Sequence, residues 1–191
     1  FPGLRPSLAP SIGSSTSMRA VRGGVIWVSA ELDGIATDLA WIIGAINRAR
    51  GECGGAAELA GQIARRAAGS GYEAIAVQFD GIRKQITILA GTLGAAASAA
   101  SSAGTTARAV SGRSTPDEVR GRLGEAAGQL DAMRSGLVTA IEQLGAVSDR
   151  VHGALHGGQP GPMLQRLDMI RQLVQAAGMR STGTKTAIHA A

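Results

Sequence analysis

Two histidines four residues apart are the first candidates for chemistry. His152 and His156 would share one side of a helix, a spacing at which two imidazoles can bind a metal ion. The zincin pattern needs a glutamate directly after the first histidine, and Gly153 stands there. The third imidazole, His189, lies near the C-terminal end of the chain. Histidines near a helix C-terminus also offset its dipole, and this structural role is the reading preferred here. Three further patterns come close to known chemistry. Gly157-Gly158-Gln159 matches the tripeptide with which release factors hydrolyse peptidyl-tRNA, but here glycine and proline serve to stop a helix. Gly178 to Thr186 almost spells a phosphate-binding loop, with the lysine one place late and no strand before it. The adjacent Asp117-Glu118 fits first-turn dipole compensation better than acid–base catalysis. Cys53 is the single cysteine and sits among Ala and Ile, as a small buried hydrophobe would. No cofactor and no enzymatic activity are expected.

Two binding classes need weighing beside catalysis. Arg65-Arg66 and Arg83-Lys84 are the basic doublets, and they flank one predicted hairpin turn. A nucleic-acid surface would add stacking aromatics, and none interleave with them. The net charge of +5 is partly a property of the first residues: Arg5, Arg19 and Arg22 precede Val28, whereas all 14 acids follow it. From Val28 onward 16 basic residues face 14 acids, a balance of +2. Gln85 to Ala107 is 23 residues without a charge, long enough to span a bilayer. Its later half is Ala, Gly, Ser and Thr, and a heptad pattern runs straight through it. The sequence therefore argues against nucleic-acid and membrane partners.

The elements that must carry these residues are helices. From Val28 apolar residues alternate by four and three: Leu32, Ile35, Leu39, Ile42, Ile46, Ala49, Cys53, continuing to Ala67. That is an uninterrupted heptad seam. After Gly69-Ser70-Gly71 the pattern restarts at Tyr72, Ile75, Phe79, Ile82 and Ile86 and runs to Val110. Ser114-Thr115-Pro116-Asp117-Glu118 reads as a helix start, with a hydroxyl cap and proline in the first turn. A third seam runs from Val119 through Leu123, Leu130, Met133 and Leu137 to Ala154. Gly157, Gly158, Pro160 and Pro162 break it, and Met163, Leu167, Ile170, Val174 and Ala177 give a short fourth helix. The pattern predicts an all-α antiparallel bundle of three helices, each about 40 residues or about 60 Å long, plus a short one. Short connections make neighbours antiparallel. The small second half of helix 1 then faces the bulky first half of helix 2.

Composition agrees. Aromatics are 3% and charged residues 17%, too few β-formers and aromatics for a β-sandwich or barrel. One cysteine excludes a disulfide scaffold. Glycine is unusually frequent, 28 residues, yet the helical glycines avoid the seams and fall on outward positions. Codon bias accounts for them, since arginine also far outnumbers lysine; the alternative is a close-packing face for a partner.

Residues 1–27 hold three prolines, six Ser or Thr, three Arg and no acid. They read as a disordered leader, with the ordered chain starting near Val28, a residue that the alternative start codon GTG would encode. The apolar run Val25 to Val28 is too short for a secretory signal. This predicts a cytoplasmic protein, with secretion by a signal-independent route left open. Residues 28–178 form the bundle, and residues 179–191 read as a flexible tail.

The run Leu155-His156-Gly157-Gly158-Gln159-Pro160-Gly161-Pro162-Met163, followed by Leu167-Asp168-Met169-Ile170, resembles the C-terminal signature of an uncharacterised actinobacterial helical family. The Gly-Ser-Gly-Tyr turn and the Ser-Thr-Pro-Asp-Glu-Val helix entry are similar too, and the likeness spans residues 28–178. Similar segments precede toxin domains in large secreted proteins. The family is one of unknown function and brings no catalytic residues; the expected role is a non-enzymatic helical interaction protein, a partner or accessory of a secreted effector or toxin. The expected partner is another protein or a second copy, met through helical faces. Metal binding by His152 and His156 and nucleic-acid binding at Arg65, Arg66, Arg83 and Lys84 are the alternatives.

Overall fold

A computed structural model describes residues 16–110, 115–155 and 161–190, with side chains from Leu32 onward in the first helix. It contains four helices and, among the described residues, no strand. They are α1 (Thr16–Gly69), α2 (Glu73–Arg108), α3 (Pro116–Leu155) and α4 (Pro162–Ala190). α1 packs on α2 and α4, and α3 packs on the same two. The diagonal pairs do not approach each other among the described residues. The result is the all-α antiparallel bundle that the seams predict.

The local signals that set the helix ends act as their chemistry requires. Gly71 has φ +78°, the left-handed conformation that ends α1. Tyr72 N–H donates to the Ala67 carbonyl at 2.8 Å and Gly71 N–H to Ala68 at 3.1 Å, the Schellman pair of bonds. Gly69 is only the last helical residue. At the start of α3, Thr115 N–H donates to the Glu118 carboxylate at 2.8 Å, and Glu118 N–H donates to the Thr115 hydroxyl at 3.3 Å. This is a reciprocal capping box, with Pro116 in the first turn. The backbone N–H of Thr115 also holds the Glu118 carboxyl below its ordinary value. Pro162 opens α4. Gly157, Gly158 and Pro160 lie outside the described residues, between the end of α3 and the start of α4.

The core follows the seams. Ile35, Leu39, Ile42, Ile46, Phe79, Ile82, Ile86, Leu89, Leu93, Leu130, Met133 and Leu137 are fully buried. So are the small residues Ala49, Cys53, Ala56 and Ala60, which make room for the larger side chains of α2. Burial pushes the Cys53 thiol up to about 11, with Glu52 adding to the effect.

Three expectations need correction. α1 begins at Thr16, so residues 16–27 are helical rather than leader; residues 1–15 lie outside the described residues. Met18, Val21 and Val25 continue the four–three spacing into Val28, and this carries the helix upstream. α4 is 29 residues long rather than short, and residues 179–190 are helix rather than tail. Its seam continues from Ala177 through Ser181, Thr184 and Ile188, all buried. Finally, Tyr72 and Ile75 keep the seam spacing but are 63% and 37% exposed. Arg166 of α4 sits against Gly55, and α4 starts only about one turn beyond that level. The α1–α2 turn therefore projects past the start of α4, and among the described residues nothing there covers its seam residues.

Candidate functional site

Among the described residues, those singled out for chemistry do not converge. His152 is exposed, and its Nδ1 hydrogen-bonds the Ser148 carbonyl of its own helix at 2.8 Å. His156 lies outside the described residues. Among the described residues no group of three His, Cys, Asp or Glu side chains is placed to hold a metal ion. The segment that nearly spells a phosphate loop is helical, and its Lys185 binds Asp131 of α3 at 2.7 Å. At the basic end, Arg83 and Lys84 both pair with Asp80 at 2.8 Å. These two cations hold the Asp80 carboxyl below its usual value, Lys84 most strongly. Arg65 and Arg66 are exposed. Among the described residues the doublets thus set four cations against one paired carboxylate, Asp80, and Arg65 and Arg66 make no ion pair. α2 is long and apolar enough by composition to cross a membrane, yet its seam from Phe79 to Ala107 is buried against the other helices.

What the fold builds instead is a set of polar rungs between helices. On the α1–α4 seam Arg180 donates to Asp38 through Nε at 2.8 Å, with its second nitrogen at 2.7 Å. The same guanidinium lies 4.8 Å above the Trp41 ring centroid, a cation–π contact. Thr184 reaches the other Asp38 oxygen at 3.4 Å. Two heptads along, Arg166 pairs with Glu52 on the same seam and covers Gly55. The α2–α3 seam repeats the arrangement with neutral groups. Thr106 donates to Gln129 at 3.3 Å and Thr92 to Gln143 at 3.2 Å, again two heptads apart. Between them the helices draw close: a Cβ added to Gly136 would stand 3.3 Å from the Ala96 methyl. Most other helical glycines, including Gly34, Gly44, Gly51, Gly121, Gly124, Gly128 and Gly145, would meet nothing within 4 Å.

The α3–α4 seam is less completely closed. A groove of about 460 Å³ runs between Leu137, Val138 and Ile141 on α3 and Val174 and Met179 on α4, with Arg134 at its side. Val138 is 56% and Met179 73% exposed. Neither stands out in the sequence, because Val138 sits one place and Met179 two places off the seam. The signal available for the rungs was the equal fourteen-residue spacing of Asp38 and Glu52 against Arg166 and Arg180.

Residues 114–191 match the model of a family of unknown function, DUF6244. The match takes in all of α3 and α4, including residues 179–191, which the sequence pattern alone had set apart as a tail. It supports an uncharacterised family over this part of the chain. No curated protein and no solved structure matches the chain.

Proposed function

We propose that this chain is a non-enzymatic helical interaction protein that meets its partner through the α3–α4 face. The observation that carries the reading is the groove beside Val138 and Met179, where two large apolar side chains stand in solvent next to a half-open seam. Burying both would release about 2–4 kcal/mol, at roughly 1.5–3 kcal/mol for a full side chain and less for partly covered ones. Arg134 beside the groove adds a charge that selects for an acidic neighbour. The resemblance of residues 155–170 to segments preceding toxin domains favours an effector or toxin as the partner, and self-association is the second reading of the same face.

Light scattering of the purified chain and calorimetry against an effector encoded beside it test this. The expected result is a dimer or a complex that Val138→Asp and Met179→Asp weaken at least tenfold, with unchanged helical content. A chain that stays monomeric and binds no such effector, or a complex indifferent to both substitutions, refutes it.

A further inference from the structure

The last thirteen residues of α4 are built differently from the rest of the bundle. From Met163 to Ala177 the α4 seam is apolar: Met163, Leu167, Ile170, Val174 and Ala177. From Gly178 onward its buried positions are Ser181, Thr184 and Ile188. Both hydroxyls turn back on their own helix: Ser181 donates to the Gly178 carbonyl at 2.7 Å and Thr184 to Arg180 at 3.1 Å. Such bonds satisfy the buried oxygens, and the polar contact these hydroxyls leave across the interface is the long one from Thr184 to Asp38 at 3.4 Å. Gly178, Gly183 and three threonines make this the poorest helix-forming stretch of α4. What fastens it is charge. Arg180 holds Asp38 and stacks on Trp41, and Lys185 holds Asp131 from the other side. Open space adjoins the segment at both ends, at Gly178 and Met179 and again at Ala187 and Ala190.

We infer that residues 178–190 are a releasable strap that detaches about Gly178 and uncovers a groove for a basic amphipathic helix. The ion pairs fix what lies beneath. Asp38 places Ile35, Leu39 and Ile42 of α1 at the strap's level, and Asp131 places Leu130 and Met133 of α3 there. With the strap away, this apolar floor is edged by the carboxylates of Asp38 and Asp131, one on each wall. A helix that fits brings apolar residues at seam spacing and cations to the two edges, as the strap itself does with Arg180 and Lys185. The use of the groove by a partner rests on the interaction reading above; the release of the strap does not.

Hydrogen exchange on the whole chain, read by mass spectrometry, tests the release. Amides of residues 178–190 should exchange at least tenfold faster than those of 163–177, with a step at Gly178. Gly178→Ala should slow the strap about fivefold, from the helix preference of Ala over Gly of about 1 kcal/mol. Arg180→Ala should speed it and leave α2 unchanged. A graded rise towards Ala190 with no step, or equal protection across α4, overturns the strap. The groove is tested with a synthetic copy of residues 178–190 carrying Ser181→Leu and Thr184→Leu. Saturable acceleration of exchange in the chain's own strap is expected; no acceleration overturns the docking site while leaving the release result standing.

Discussion

Replacing Arg180 and Asp38, singly and together, measures how much one polar rung contributes. Their side chains are 41% and 32% exposed, so the pair is neither fully solvated nor fully buried. Exposed ion pairs contribute about 0.2–1 kcal/mol, and two short contacts to one carboxylate oxygen place this one near the upper end. Arg180 also lies over Trp41, which adds about 0.5–1 kcal/mol. Arg180→Ala should therefore cost about 1.5–2 kcal/mol and Asp38→Ala about 1 kcal/mol. The coupling between them should be about 1 kcal/mol. Arg180→Lys keeps the charge but loses the flat stack on Trp41, so about half the loss should remain. Urea unfolding followed by helical circular dichroism gives all four values, and repeating it in roughly 0.5 M salt should weaken the coupling. A coupling below about 0.3 kcal/mol would mean that the rung decorates the surface and that apolar contacts alone seat α4.

Other perturbations separate the remaining forces. Ile42→Ala, at a fully buried seam position, should cost about 3 kcal/mol in the same unfolding assay, whereas Val138→Ala on the exposed face should cost less than about 0.5 kcal/mol. Gly71→Ala places a side chain at φ +78° and should cost about 1–2 kcal/mol. Thr115→Ala removes half of the capping box and should cost about 1 kcal/mol. The Glu118 and Asp131 carboxyls are held below their ordinary values, by Thr115 and by Lys185 respectively. Each folded value lies under the unfolded one, so this stability is complete above the unfolded value and is lost as pH falls through the folded one. The urea midpoint should thus hold from neutral pH to about 5 and fall below that. The Cys53 thiol, raised to about 11, should stay inert to a disulfide reagent at pH 8 in the native chain and react promptly in urea. Fast native labelling would show that α1 opens there.

The seams were readable because each rests on side-chain size alone. Phe79, Ile82 and Ile86, or Leu130, Met133 and Leu137, keep the spacing and end in the core as the pattern demands. The end of α4 is hidden from such a pattern for the same reason. At Ser181 and Thr184 the seam positions hold hydroxyls, and a filter tuned to apolar residues stops at Ala177. Their bonds to the preceding turn make them tolerable in the core, and no sequence pattern announces that bond. At the other end, prolines in the first ten residues give the segment a disordered composition, although Met18, Val21 and Val25 already keep the heptad. Tyr72 and Ile75 show the opposite limit. Spacing says which face a residue shares, but the relative lengths of the helices decide whether anything covers that face.

The rungs explain how a bundle with so uniform a core selects one register. Seams of Ala, Leu and Ile can slide by one heptad and still bury similar side chains. On the α1–α4 seam such a slide towards Leu59 would set Arg180 opposite Ala45 and Arg166 opposite Leu59, leaving Asp38 and Glu52 without their cations. On the α2–α3 seam it would part Thr92 and Thr106 from Gln143 and Gln129. Each part-exposed rung contributes about 0.5–1 kcal/mol, and a one-heptad slip loses both rungs of a seam at once. Spacing the rungs two heptads apart leaves a layer between them for Gly136 and Ala96, where an added Cβ at Gly136 would crowd the Ala96 methyl at 3.3 Å. A polar pair in that layer would hold the helices apart, and a large apolar residue at Gly136 would force them apart. The small residue and the two rungs therefore act together: the rungs choose the register, and the glycine makes that register the one in which α2 and α3 can close.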